Sequence, residues 1–241
     1  MSNDPPALNP QDVETFLGYT FRNRDLLAAA CERKSREFAT LEFYGDAYLN
    51  LAVCLACWHA QLDPAAAVQR YANKHLRSRF WTIFGPRRGS EKEDFLETTI
   101  GAMSFEASIE VMINAALRLV DDSLTVPPMV NKSSDVLHES PEFKKATLLG
   151  EATLKCVAVD LLRERHGLDG RPALQLHQEY LKMSHDLSNR ISPRWSSIRP
   201  KGSPPSRRTL ARRVAATFVE FGWITTRDLV RREFIPQAEF R

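Results

Sequence analysis

Apolar residues recur along most of the chain at the three-to-four-residue spacing of an α-helix. Alternating strand patterns and the Asn-Gly or Asp-Gly signals of β-hairpins are absent between them. The pattern predicts an all-α protein, with helices over 11–17, 23–31, 40–59, 64–83, 91–119, 142–165, 173–190, 206–220 and 225–233. Two stretches rich in proline and small polar residues, 121–135 and 192–206, are typical of connecting loops.

The segment LEFYGDAYLNLAVCLAC (41–57) differs from a surface helix because it is apolar except along one narrow polar line. Its strongly polar residues, Glu42, Asp46 and Asn50, are four positions apart and therefore share one face of a helix. Two carboxylates at this spacing repel each other, and burying them without a partner costs free energy. The pattern predicts a mostly buried helix whose acidic line faces something positive.

A second acidic pair lies in EKEDFLETTIGAM, where Asp94 and Glu97 share a helical face ahead of an apolar continuation. Packed together, the two segments would offer four carboxylates to one cleft. Oxygen ligands without His or Cys suit hard cations such as Mg²⁺ or Mn²⁺, which can activate a water for phosphodiester hydrolysis. The alternative is that Asp94 and Glu97 belong to a solvated helix start, where acidic residues are favourable.

An internal repeat is visible when SREFATLEFYGDAYL (35–49) is laid over SPEFKKATLLGEATL (140–154), because six of fifteen positions are identical. The repeat predicts a duplication, with a first domain at 10–122, a linker at 123–135 and a second domain at 136–241. In the second copy the polar line becomes Thr147, Glu151 and Lys155. The acid-free segment 206–219 is expected to place Arg212 and Ala215 where Asp94 and Glu97 stand, so this copy is expected to be silent.

Charge is distributed unevenly although the net charge is only +3. Between 187 and 219 there are eight basic residues and no acidic one, which predicts contact with RNA phosphates; the alternative is a solvated loop. A second alternative, the last helix of a double-stranded-RNA-binding domain, lacks the strands that should precede it. The candidate RNA-binding residues are Arg194, Arg199, Lys201, Arg207 and Arg208.

The cysteines, the N-terminal sequence and the lengths of the apolar runs limit the classes of protein to which the chain can belong. Cys54 and Cys57 have CxxC spacing but lie inside the apolar run without a second Cys or His cluster, so they are interpreted as core residues rather than zinc ligands. The N-terminal MSNDPPALNPQ has neither secretory nor transit character, and no apolar run is long enough for a membrane span. We therefore expect an intracellular protein, in the cytoplasm, nucleus or mitochondrion, without a membrane partner.

Three segments resemble ribonuclease III. LEFYGDAYL resembles the family signature L-E-F-L-G-D-A-V-L, LGYTFRNRDLLAAA (17–30) its opening helix pair, and DFLETTIGA (94–102) its D-x-x-E-A-L-I-G-A helix. The resemblance implies an all-helical endonuclease domain that dimerises, binds double-stranded RNA and holds Mg²⁺ with four carboxylates. On this chain those residues are Glu42, Asp46, Asp94 and Glu97, with Gly45 allowing close helix packing beside them.

The chain departs from that family where N-E-R often precedes L-E-F, because Phe38, Ala39 and Thr40 stand there and one acidic residue is missing. The expected function is a Mg²⁺- or Mn²⁺-dependent endoribonuclease for double-stranded or structured RNA, with one active centre in the N-terminal half. The silent half would complete an intramolecular pseudo-dimer, and a homodimer or a ribonuclease III-like partner is the other expected association. The alternative is a non-catalytic scaffold or RNA-binding subunit of a ribosomal or RNA-processing complex.

Overall fold

The structure is a computed structural model that describes residues 9–33, 35–59, 89–120, 142–168, 172–190 and 207–234. All regular secondary structure within these ranges is helical, which confirms the all-α prediction. Among the described helices none is long and apolar enough to cross a membrane. The helices are α1 (Pro10–Leu17), α2 (Arg24–Cys31), α3 (Phe38–His59), α4 (Gly89–Met103), α5 (Ile109–Val120), α6 (Glu142–His166), α7 (Ala173–Arg190) and α8 (Arg207–Phe234).

The chain forms two compact units. Unit 1 contains Met1–Val126 together with His166–Ala173, and unit 2 contains Pro127–Arg165 and Leu174–Arg241. The expected helix at 64–83 and linker at 123–135 lie outside the described residues, so the domain limits 10–122 and 136–241 stay predictions. Each unit is described separately below.

The first two helices of unit 1 begin and end at the residues that their sequences favour. The Asn9 side chain caps α1 by accepting the Gln11 N–H at 3.1 Å, and α1 ends at Gly18, whose φ is 61°. The Asn23 side chain caps α2 by accepting the Asp25 N–H at 3.0 Å. These capping residues set where both helices begin and where α1 ends.

Helix α3 is the centre of unit 1, because α4 packs along it and α2 and α5 flank it. Its side chains are buried on nearly every side, as expected of a helix that is apolar except for a thin polar line. The largest of these fully buried side chains are Leu41, Tyr44, Tyr48, Leu51 and Leu55. The prediction of a mostly buried helix is confirmed.

Helices α3 and α4 cross at two glycines. A Cβ added to Gly45 would overlap the carbonyl oxygen of Glu97 and lie 2.8 Å from the Gly101 nitrogen. In the other direction, a Cβ added to Gly101 would overlap the carbonyl oxygen of Leu41. Only glycine leaves room for such backbone-to-backbone contact, so the predicted role of Gly45 in close helix packing is confirmed.

The single helix expected over 91–119 was wrong, because a turn at 104–108 separates α4 from α5. Ser104 Oγ donates to the Gly101 carbonyl at 2.6 Å and competes with helix continuation. The Glu106 carboxylate then turns inward and accepts the Tyr19 hydroxyl at 2.9 Å and the Arg22 and Asn23 N–H groups at 3.0 and 2.9 Å. These bonds attach the turn to the α1–α2 connection.

Unit 2 is built from α6, α7 and α8 around one apolar cluster, whose buried members are Leu154, Val157, Leu161, Leu187, Leu210, Ala211, Val214 and Val230. Helix α8 bends at Gly222, which has φ 77° and ψ −175°. Because these angles are not helical, α8 consists of two helices that meet at Gly222, as the sequence predicted. The rings of Phe218 and Trp223, on either side of Gly222, pack edge to face with their centroids 6.3 Å apart.

A charged network joins α6 to the second half of α8. The buried carboxylate of Asp160 pairs with Arg163 and with Arg227, each at 2.6 Å. Glu164 pairs with Arg227 and, at 2.9 Å, with Arg231. Two arginines around one buried carboxylate compensate its desolvation.

We predict that Gly45→Ala lowers the free energy of unfolding by about 3 kcal/mol or more, because the overlap is with backbone that no side-chain rotation can move. Gly167→Ala is the control. Its added Cβ has no neighbour within 4 Å, and its φ of 59° alone should cost about 1 kcal/mol. Urea unfolding monitored by circular dichroism measures both, and equal losses would contradict the crossing.

Candidate functional site

The predicted polar line is present on α3. Glu42, Asp46 and Asn50 are each only partly buried, whereas Tyr44, Ala47 and Tyr48 between them are fully enclosed. The line is therefore the edge of a core helix that reaches solvent, as the spacing predicts.

The acidic residues of α4 are presented in the same way. Asp94 and Glu97 are partly buried, while Phe95 and Leu96 between them point into the core. Because the Glu97 carbonyl lies against Gly45, Glu97 is held at the crossing, one turn from Glu42 and one residue from Asp46 along α3. The two acidic pairs that the sequence separates by about fifty positions flank one helix crossing.

The electrostatics of Glu42 reflect this arrangement. Burial raises the pKa of its carboxyl, and the negative charges of Asp94 and Asp46 raise it further, while Arg33 acts in the opposite direction. A carboxyl whose ionisation is opposed by acidic neighbours on both helices marks a region of negative potential. A cation bound there would be stabilised by the same field.

Arg33 is the positive group that the acidic line was predicted to face, although the sequence did not identify it. Its guanidinium nitrogen lies 3.4 Å from the Asp94 carboxylate, with side chains 51% and 23% exposed. An ion pair this exposed contributes little to stability. Arg33 precedes α3 in the stretch CERKSRE, and the only signal that could have revealed it is this basic run next to the acidic helix.

The donor set has the chemistry of a magnesium site rather than of a zinc site, because all four candidate ligands are carboxylates. Across the described part of the chain, no group of three or more His, Cys, Asp or Glu side chains is placed so that it could hold a metal ion. Mg²⁺ does not require such a group, since it usually keeps several waters and takes one or two carboxylates plus substrate phosphates. The residue types fit the ion, and the charges of Asp94 and Asp46 both act on Glu42.

The cysteines of α3 are core residues. Cys54 and Cys57 are buried thiols that form no disulfide, and the Cys54 thiol lies 3.8 Å from the Asn50 side-chain oxygen. Asn50 thus closes the polar line by contacting α3 itself.

Unit 2 contains a comparable crossing, but without the acidic pair that α4 carries in unit 1. A Cβ added to Gly150 would overlap the Ala211 carbonyl oxygen, as one on Gly45 would overlap that of Glu97. Relative to the glycine, Ala211 therefore holds the place of Glu97, and Arg208, three residues earlier, that of Asp94. The sequence placed Arg212 and Ala215 there, which is wrong by one helical turn.

The candidate RNA-binding residues are only partly described. Arg207 and Arg208 are exposed in the first turn of α8. Arg194, Arg199 and Lys201 lie outside the described residues, so their role stays a prediction.

No protein-family model, curated protein or solved structure matches this chain. The resemblance of three short segments to ribonuclease III therefore stays a prediction from the sequence. What the carboxylate crossing can do follows from its own geometry and chemistry.

We predict that Glu42→Gln stabilises unit 1 at neutral pH. The folded-state pKa of Glu42 is raised, so the folded chain holds this proton more tightly than the unfolded chain. That contribution to stability is complete below the ordinary glutamate pKa and is lost as the pH rises through the raised value. The neutral amide removes the loss.

Urea unfolding at neutral and at acidic pH measures this effect, with Glu32→Gln, an exposed glutamate at the end of α2, as the control. The gain from Glu42→Gln should disappear in acid, and the control should show no gain. A destabilised Glu42→Gln variant at neutral pH would contradict the electrostatic interpretation.

Proposed function

We propose that the chain is a Mg²⁺-dependent endoribonuclease whose active centre is the carboxylate crossing of unit 1. The observation that supports this most directly is the α3–α4 crossing at Gly45, which packs the stretch with Glu42 and Asp46 against the stretch with Asp94 and Glu97. Acidic side chains are concentrated at this crossing despite their mutual repulsion, as in sites that bind a hard cation. The three ribonuclease III-like segments point to the same chemistry.

In this proposal Glu42, Asp46, Asp94 and Glu97 hold one or two Mg²⁺ or Mn²⁺ ions together with RNA phosphate oxygens. A bound ion supplies an activated water and neutralises charge on the phosphodiester. The protein's own contribution is orientation, because Gly45 and Gly101 fix the spacing of the backbones that carry the acids. Arg33, paired with Asp94, supplies a positive charge at the edge where an anionic substrate enters.

We further propose that unit 2 is a degenerate copy of unit 1. The glycine-to-carbonyl crossings at Gly45 and Gly150 support this, as do the six identities in the surrounding segments. Thr147 takes the place of Glu42, and Arg208 and Ala211 take the places of the α4 acids. Such a unit holds no cation, so each chain carries one active centre.

A scaffold without catalytic activity is the second candidate. Arg33 already engages Asp94, which reduces the need for a metal to balance the acids. The residue before α3's acidic line that is often acidic in ribonuclease III is Ala39. In this alternative, the chain binds RNA or a ribosomal or RNA-processing complex through basic segments, and the carboxylates are retained without a catalytic role.

We predict that Asp46→Asn lowers Mg²⁺-dependent cleavage of duplex RNA by about 10³-fold, because several kcal/mol of transition-state stabilisation depend on the ion. Asp228→Asn, an exposed change in α8, serves as the matched control and should retain full activity. Mn²⁺ binding followed by electron paramagnetic resonance should weaken only in the Asp46 variant. Equal cleavage by both variants, or none by the parent, would favour the scaffold.

We also predict that the chain, when monomeric, nicks one strand of a duplex RNA because one centre cuts one strand. Denaturing gels of duplexes labelled on either strand, run beside native gels, distinguish nicked from broken products. The degree of association is measured by analytical ultracentrifugation. A monomer that releases both strands' products at equal rates would contradict a single active centre.

A further inference from the structure

The helix crossing of unit 2 is positively charged where that of unit 1 is negatively charged. Around Gly150 and Ala211 the described side chains include Thr147 on α6 and Arg208 and Arg212 on α8. In unit 1 the corresponding stretches carry Glu42, Asp46, Asp94 and Glu97. Glu151, next to Gly150, keeps the acidic position of Asp46, but α8 carries basic residues where α4 carries acidic ones.

Arg212 is held in place beside this crossing. Its Nε donates to Thr147 Oγ1 at 3.1 Å in a partly buried contact that links α8 to α6. Thr147 stands three residues before Gly150, so the contact lies one turn from the closest approach of the two backbones. A guanidinium fixed at one edge is oriented in advance for a planar, bidentate interaction.

The surroundings of Arg212 favour an anion. Burial lowers its pKa, and the positive charge of Arg208 one turn earlier lowers it further. Both guanidiniums nevertheless stay charged at physiological pH. Lys145 and Lys155 add positive charge along α6, and Glu151 is the acidic side chain in the same stretch.

We propose that the α6–α8 crossing of unit 2 binds a backbone phosphodiester of RNA, with Arg208 and Arg212 as the contacting residues and Thr147 as the positioning residue. The proposal depends on the function above in naming RNA as the ligand, and it adds a substrate-binding role to the unit that lacks the carboxylates. Two arginine forks match the geometry of a phosphate group. The N-terminal end of α8 carries the positive end of the helix dipole, which adds to the attraction.

RNA is favoured over an acidic peptide by the neighbouring sequence. The stretch 187–206, which precedes α8 in the sequence, contains four basic residues and no acidic one, a composition that favours phosphate contacts. The duplex would be recognised by its A-form backbone rather than by its bases. Binding of an acidic peptide in preference to RNA is an outcome that overturns the proposal.

Fluorescence anisotropy with a short blunt duplex RNA in EDTA tests the site without cleavage. Arg212→Gln should weaken binding about fivefold at physiological salt and reduce the slope of log K against log salt concentration by about one, the loss of one phosphate contact. Arg212→Lys should restore the slope because it keeps the charge. Arg232→Gln, an equal charge change at the exposed far end of α8, is the matched control and should change neither value.

If Arg212→Gln does not fold, as judged by circular dichroism, the exposed Arg208→Gln should produce the same reduction in slope. The proposal is overturned if Arg208 and Arg212 variants keep the parent's slope, if Arg232→Gln has an equal effect, or if poly-glutamate binds more tightly than the duplex RNA does. Binding without an Arg212 effect, together with Mg²⁺-dependent cleavage, would remove this site and leave the nuclease intact. Loss of cleavage in every preparation while the Arg212 effect persists would overturn the nuclease proposal and leave this binding site intact.

Discussion

The contact of α3 with α4 at Gly45 and Gly101 is the constraint on which unit 1 depends. At this point the two backbones touch, because a Cβ added to either glycine would overlap a carbonyl oxygen of the other helix. The large buried side chains of α3, among them Tyr44 and Tyr48, fill the space on both sides of the contact. The acidic side chains diverge from the same crossing toward solvent, so the packing that stabilises the unit also sets the spacing of its charges.

Repulsion is the cost of that geometry. Glu42 is harder to ionise because it is partly buried near Asp94 and Asp46, and Arg33 offsets only part of the effect. In the proposed function, a bound cation would offset the remainder. In unit 2 the corresponding crossing carries a hydrogen bond between Arg212 and Thr147 instead of repelling acids. Its buried carboxylate, Asp160, lies elsewhere and is paired with arginines.

The sequence predicted features that depend on local periodicity. The all-α class, the buried character of α3 and its thin polar line follow from apolar and polar spacing, whereas the packing role of Gly45 was expected from the resemblance to ribonuclease III. Features that depend on distant partners were missed. The break after α4 requires Glu106 to bind N–H groups about eighty residues away, Arg33 approaches Asp94 only after folding, and the register of α8 is fixed by Gly150.

The Glu106 hydrogen bonds have a consequence for the order of folding. The α1–α2 connection is synthesised before Glu106, yet the N–H groups of Arg22 and Asn23 are satisfied by that carboxylate, 84 and 83 positions later in the chain. Closing so long a loop is entropically unfavourable until other contacts compensate. We expect the α1–α2 pair to dock late, after the core around α3 has assembled, even though it is synthesised before that core is complete.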